Sequence, residues 1–311
     1  MRKILVVLIS IFIVPLSITN FFYDFKIKKI VSGIIINEEE KKETTIRVLR
    51  SNNNIETLNI EDYLVGVVSS EVPVYFENEA IKAQAVAART YALKQMQNRQ
   101  NETYDVTDTT STQVYKSDEE LKNKWGNKYE EYKNKIKNAI DETSGQYLTY
   151  NNDIIYAFFF SMSNGKTEDN VNVFGRDLPY LKTVDSSFDE NETNNFKVST
   201  TLSLSDFYQK LELTYSDNLI IDNIELTDSG RVKNLKINNN QFKGTIVRTK
   251  LSLRSTDFTI EKKDNNVVIT TKGFGHGVGL SQYGANALAK QNKKYDEILK
   301  YYYQGTNLQK L

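Results

Sequence analysis

The stretch Glu79-Ala80-Ile81-Lys82-Ala83-Gln84-Ala85-Val86-Ala87-Ala88-Arg89-Thr90-Tyr91-Ala92-Leu93 has no proline or glycine and is built largely of alanine, the strongest helix former. It predicts a helix from about Glu79 to Gln97. Ala80, Ala83, Ala85, Ala87, Ala88 and Ala92 leave small side chains on several faces, so neighbouring elements can come close. A helix of that kind sits buried at the centre of its domain.

Working outward, Asn59 reads as the N-cap of an earlier helix, with Asp62 at N3 in a capping-box-like arrangement. Ile60, Leu64, Val67 and Val68 follow helical spacing, and Pro73 closes the segment. Before it, residues 45–50 and 55–59 alternate in polarity around Ser51-Asn52-Asn53-Asn54, which predicts a hairpin. Residues 154–160 read as an apolar strand. Short alternating stretches at 219–226, 232–237, 258–261 and 267–271 predict antiparallel sheet in a semi-separate, β-rich lobe spanning about 198–271. A glycine-rich turn and two helices, from about Ser281 and Tyr295, follow. Helices and strands are partly segregated, so the expected fold class is α+β.

Among 311 residues, 40 Lys+Arg balance 40 Asp+Glu, which removes any bulk electrostatic reason to bind nucleic acid. The Lys/Glu-rich runs at 38–43 and 117–137 read as solvated faces or linkers. With no cysteine and one histidine, His276, disulfides, thiol nucleophiles and Cys- or multi-His metal sites are excluded, and no EF-hand-like loop is visible. No cofactor and no metal are expected.

Residues 4–22 carry no charge and match the length of a bilayer span. An uncleaved anchor is expected, a cleaved secretory signal being the alternative. Arg2 and Lys3 precede it and Lys26, Lys28 and Lys29 follow, so charge leaves the orientation undecided. Residues 23–43 read as a tether, leaving 44–311 as the domain.

Three segments carry candidate chemistry. Glu71 lies at the C-terminal end of the first helix among Val67, Val68 and Val72, where the helix dipole and a dry setting both raise a carboxyl pKa. That suits a general acid, although an exposed helix-end residue is the competing reading. Lys272-Gly273-Phe274-Gly275-His276-Gly277-Val278-Gly279-Leu280-Ser281-Gln282-Tyr283-Gly284 lacks the GxGxxG spacing of dinucleotide sites and has no following GKS/T. It reads as a turn that exposes backbone N–H groups and His276 beside a helix capped by Ser281, or else as a plain strand-to-helix connection. Ser161-Met162-Ser163-Asn164-Gly165-Lys166-Thr167-Glu168-Asp169 reads as a polar loop able to bond sugar hydroxyls, or as a generic turn.

Together and in this order, the Asn59-to-Pro73 segment, the alanine helix, Gln113-Val114-Tyr115, Ser163-Asn164-Gly165-Lys166-Thr167, Pro179-Tyr180-Leu181, Arg254-Ser255-Thr256-Asp257-Phe258, the His276 turn and Tyr301-Tyr302-Tyr303-Gln304-Gly305-Thr306 resemble the stage II sporulation protein D family. The resemblance covers about 45–311. It implies a lytic transglycosylase acting on peptidoglycan glycan strands during forespore engulfment, preferring strands stripped of stem peptides. Residues 1–3 would then be a cytoplasmic tip, 4–22 an anchor in the mother-cell membrane, and 44–311 a catalytic domain facing the septal space.

The implied reaction breaks the bond between N-acetylmuramic acid and N-acetylglucosamine and leaves a 1,6-anhydro end, with Glu71 as both acid and base. The same mapping places Arg89, Lys166, His276, Ser281, Gln282 and Tyr283 along the cleft. It further implies cooperation with stage II sporulation proteins P, an amidase, and M, a membrane protein. Some relatives bind zinc through Cys and His; this chain, without cysteine, is expected not to. Two alternatives remain: a non-catalytic wall-binding enhancer of an amidase, and a muramidase pairing Glu71 with Asp62, Glu77 or Glu168.

Overall fold

The computed structural model describes residues 43–311, so the expected anchor and nearly all of the tether lie outside the described residues. Among the described residues no helix is long and apolar enough to cross a membrane. Thr45–Leu311 forms one compact unit of α+β class.

The predicted hairpin is present: β1 (Thr45–Leu49) pairs antiparallel with β2 (Ile55–Asn59) in the register Thr45↔Asn59 to Leu49↔Ile55. α1 (Ile60–Glu71) starts at once, capped by the Asn59 side chain. That carboxamide accepts the Glu61 N–H at 2.9 Å, the second amide of the helix. The capping box expected with Asp62 does not form, because the short Asn side chain is spent one position earlier and Asp62 faces solvent.

α2 (Asn78–Asn98) is the alanine helix, and all six of the named alanines are buried. Their small side chains let α1, later helices and β4 pack round it on several sides. A bulkier residue at these positions would cost about 1–3 kcal/mol by overpacking.

β3 (Val106–Thr107) adds parallel to β1, and α3 (Asp118–Trp125) and α4 (Tyr129–Glu142) follow. Here the structure corrects the reading of 117–137 as a solvated face or linker. Ser117 and Glu120 form a capping box, and Leu121, Tyr129 and Ile136 are buried, so the Lys/Glu run covers only the outer faces of packed helices.

β4 (Gln146–Tyr150) pairs with β5 (Asp153–Ile154), and β6 is only Phe159–Phe160. The single strand expected over 154–160 is therefore broken. The Phe158 carbonyl is held instead by the Tyr303 hydroxyl at 2.8 Å and the Leu280 N–H at 3.1 Å. A short helix, α5 (Asn170–Phe174), comes next.

The β-rich segment holds two antiparallel three-stranded sheets. One joins β7 (Lys197–Ser203), β11 (Phe258–Lys263) and β12 (Asn266–Lys272); the other joins β8 (Ile221–Leu226), β9 (Val232–Ile237) and β10 (Asn240–Lys243). α6 (Leu204–Lys210) and α7 (Gly244–Lys250) complete a hydrophobic cluster of its own around Phe207, Leu235, Ile237 and Val267. β13 (Leu280–Ser281) then pairs parallel to β6 and leads into α8 (Gln282–Lys290), α9 (Tyr295–Tyr302) and β14 (Asn307–Lys310), which pairs with β4.

Candidate active site

Glu71 is the last residue of α1, whose final turn holds no basic side chain, so the negative end of the helix dipole is uncompensated there. Val67, Val68 and Val72 are all buried around it. Burial raises the carboxyl pKa above its ordinary value. The Val114 N–H, which donates to Oε1 at 3.0 Å, and the Gln282 side chain pull it partly back down. Because an N–H can only donate, Oε1 is held as an acceptor, and the proton of the acid form belongs on Oε2.

The loop carrying Val114 reaches Glu71 because α1 has a glycine where they meet. A Cβ on Gly66 would lie 2.3 Å from the Tyr115 ring and 2.4 Å from the Lys116 carbonyl oxygen. Gln113 pins the loop further: its carboxamide accepts from the Tyr63 hydroxyl at 3.2 Å and donates to the Ala88 carbonyl at 3.3 Å. Arg50 completes the fastening, paired with Asp108 at 3.0 Å and Glu120 at 2.7 Å while lying over the Tyr115 ring.

From the other side, Ser281 caps α8 by accepting the Gly284 N–H, and this start of the helix sets Gln282 and Tyr283. Gln282 is buried beside Gln84 of α2 and reaches the Glu71 carboxyl. Tyr283 stands edge-on to Phe76 at 5.1 Å, and its hydroxyl lies 3.5 Å from that of Tyr75. Glu71, Gln282, Tyr283 and Tyr75 thus share one region.

His276 lines a cavity of about 190 Å³ together with Phe158, Phe174 and Thr112. Its Nδ1 accepts the Val278 N–H at 3.0 Å, and its other nitrogen bonds the Phe159 backbone. Burial, then Arg248 and Arg231, push its pKa down to about 3. The imidazole is therefore neutral and fixed in one tautomer, a wall rather than a proton carrier.

The amides at the start of the glycine turn are not exposed. The N–H groups of Gly273, Phe274 and Gly275 bond the carbonyls of Phe196, Met162 and Arg254 at 2.8–2.9 Å. Gly279, at φ +80, could carry no Cβ, which would meet the Phe158 carbonyl oxygen at 2.0 Å. The turn serves close packing.

Two expected cleft residues are buried in internal pairings. Arg89 is fully buried and held by Glu61 at 2.5 Å and by the Gln146 carbonyl at 3.1 Å. Glu61 lies ten residues up α1 from Glu71, about 15 Å along the helix axis. Ser281 is buried against Asp189, which also accepts from Ser163 and Ser186. Lys166 is exposed, and its neighbours fasten the loop internally. Asn164 bonds Asp257 at 2.7 Å, Glu168 accepts from Thr227 and Ser229, and Arg231 donates to the Lys166 carbonyl at 3.0 Å. Those bonds consume Glu168, while Asp62 and Glu77 face solvent. No group of three or more potential metal ligands occurs among the described residues.

A family profile described as "Stage II sporulation protein" matches residues 50–150, and one for a domain of unknown function matches 119–279. The chain is 43% identical over 265 residues to stage II sporulation protein D of Bacillus subtilis, covering 83% of this chain and 76% of that one. It is 35% identical to an uncharacterized protein of Brachyspira hyodysenteriae, covering 82% and 67%. Against the amidase enhancer of Bacillus subtilis identity is 30%, over 79% of this chain and 40% of the enhancer.

Proposed function

The chain belongs to the stage II sporulation protein D family, and on that premise we propose that it is a peptidoglycan lytic transglycosylase with Glu71 as its single catalytic residue. The observation that carries this reading is one carboxyl group, raised in pKa, whose hydrogen-bonding neighbours among the described residues are the Val114 N–H and the Gln282 side chain. Hydrolysis by paired carboxylates needs a second acid at a fixed separation. Glu168 is already engaged by the Thr227 and Ser229 hydroxyls.

One group suffices if the substrate supplies its own nucleophile. Glu71 Oε2 gives its proton to the oxygen bridging N-acetylmuramic acid and N-acetylglucosamine, and that C–O bond breaks as the leaving sugar departs with the proton. The C6 hydroxyl of the muramic residue then bonds to its own C1. The Glu71 carboxylate takes the proton released from that hydroxyl, which closes the 1,6-anhydro ring and restores the acid. Water is no reactant, so a dry site helps rather than hinders. Val114 and Gln282 hold the carboxyl in one orientation for both steps.

In the same proposal residues 4–22 anchor the chain in the mother-cell membrane, the domain faces the septal space, and the glycan strands are those freed of peptide by an amidase such as stage II sporulation protein P. The test is incubation with peptide-free glycan strands and mass analysis of the ends. Anhydro ends that disappear in Glu71→Ala support the reading. No cleavage, with stimulation of an added amidase, would replace it by the wall-binding enhancer.

A further inference from the structure

A cavity of about 470 Å³ opens directly after Glu71, walled by Val72, Pro73, Val74 and Tyr75 and, across from them, by α3 and α4. Its aromatic faces are Trp125 and Tyr132, perpendicular to each other at 5.7 Å, and Tyr75, which is 73% exposed. Lys124 and Lys135 line it as well. Each ammonium has three N–H donors, and each spends one on the chain beside Glu71: Lys124 on the Ser69 carbonyl at 2.9 Å, Lys135 on the Phe76 carbonyl at 2.8 Å. Neither forms an ion pair among the described residues. Glu131 on the same wall pairs with neither lysine, so the lining itself carries two cations against one carboxylate, with Glu77 beyond it acting on Lys135.

Flat apolar faces beside polar groups are what a sugar ring needs, and two half-desolvated cations with spare donors are what one carboxylate needs. We propose that this cavity is a substrate subsite for a sugar ring bearing one free carboxylate, the muramic acid residue whose lactyl group has lost its peptide. Rows of phosphates would suit it poorly, because the lining offers only one net positive charge. Burial lowers the pKa of both lysines, with Lys116 adding to the effect at Lys124 and Glu77 opposing it at Lys135. A lactyl group still joined to its peptide is a neutral amide and forfeits the charge-assisted bonds. The cavity therefore reads whether the strand has been stripped. This subsite rests on the glycan-cleaving reading above, and it concerns binding rather than cleavage.

Trp125 is the only tryptophan of the chain, so its fluorescence reports this cavity alone. The full chain carrying Glu71→Gln is titrated with the N-acetylglucosamine–N-acetylmuramic acid disaccharide as the free lactyl acid, and with the same disaccharide as the lactyl amide. The expected result is a Trp125 emission change and binding of the acid about tenfold or more tighter than of the amide, the worth of one hydrogen bond to a charged group. That preference should vanish in Lys135→Met and in Lys124→Met. Equal binding of acid and amide, or saturation without any Trp125 response, overturns the proposal, as does tighter binding of a glycerol-phosphate polymer than of the acid. Absence of anhydro products with the acid preference intact would sink the transglycosylase reading and leave this subsite standing.

Discussion

Glu71 Oε1 and the Val114 N–H are 3.0 Å apart, so a bond across 43 residues of chain defines which oxygen of the acid is free to act. The close approach of Gly66 to Tyr115 lets the loop come that near. The relationship makes the site's energetics testable on its own.

Because burial raises the Glu71 pKa, the protonated form persists to higher pH than for an ordinary glutamate. As general acid it must start protonated, so kcat/KM should be flat on the acidic side and fall as pH rises through that pKa. The same shift is a stability cost. The group's contribution is fully present below the ordinary value of about 4.5 and is lost as pH rises through the raised one. Glu71→Gln should therefore abolish anhydro products yet raise Tm at neutral pH, as measured by thermal melts against wild type.

Gly66→Ala should act at a distance. Its methyl group cannot fit against Tyr115 and Lys116, so the loop moves away and the Val114 N–H leaves Glu71. We expect a loss of about 1–3 kcal/mol from overpacking, read by urea denaturation. The fall in kcat should exceed what the unfolded fraction explains.

Arg89 is a test of structure against catalysis. Its guanidinium is buried on Glu61, and removing one partner of such a pair costs about 3–5 kcal/mol. Arg89→Met should lower Tm sharply while KM of the surviving folded protein stays unchanged. A raised KM at unchanged Tm would return Arg89 to the cleft.

His276 should be silent where histidines usually titrate. With its pKa pushed down to about 3, its ring proton signals in NMR should not move as pH falls from about 8 to 5. Below the ordinary value of 6.5 the unfolded chain gains a proton that the folded chain refuses. Stability should then decline towards acid pH, and His276→Gln should remove that part of the decline.

The alanine helix, the hairpin and the capping of α8 by Ser281 were legible in the sequence because each follows from local periodicity or a single cap. The broken strand at 154–160 was not, since its backbone partners, Tyr303 and Leu280, lie over a hundred residues away. The raised pKa of Glu71 was legible through its valines and its helix end, while its role as the acid came from the family resemblance. Val114 was invisible for a simple reason: any residue but proline supplies a backbone N–H. Arg89 and Ser281 are buried in internal pairings, because a shared motif marks residues that hold a site in place as readily as those that line it. The lysines of 117–137 hid their role by looking like a solvated face, and only the packing of α3 and α4 against the segment after Glu71 turns Lys124, Trp125 and Lys135 inward to one cavity.

The central claim is that Glu71 works alone, as acid and then as base, with no water consumed. Cleavage of peptide-free glycan in heavy-oxygen water, followed by mass spectrometry of the new ends, tests it directly. The account predicts muramic ends lighter by one water than reducing ends and free of the label, all lost in Glu71→Gln. Reducing ends carrying heavy oxygen would contradict it and demand a second catalytic carboxylate.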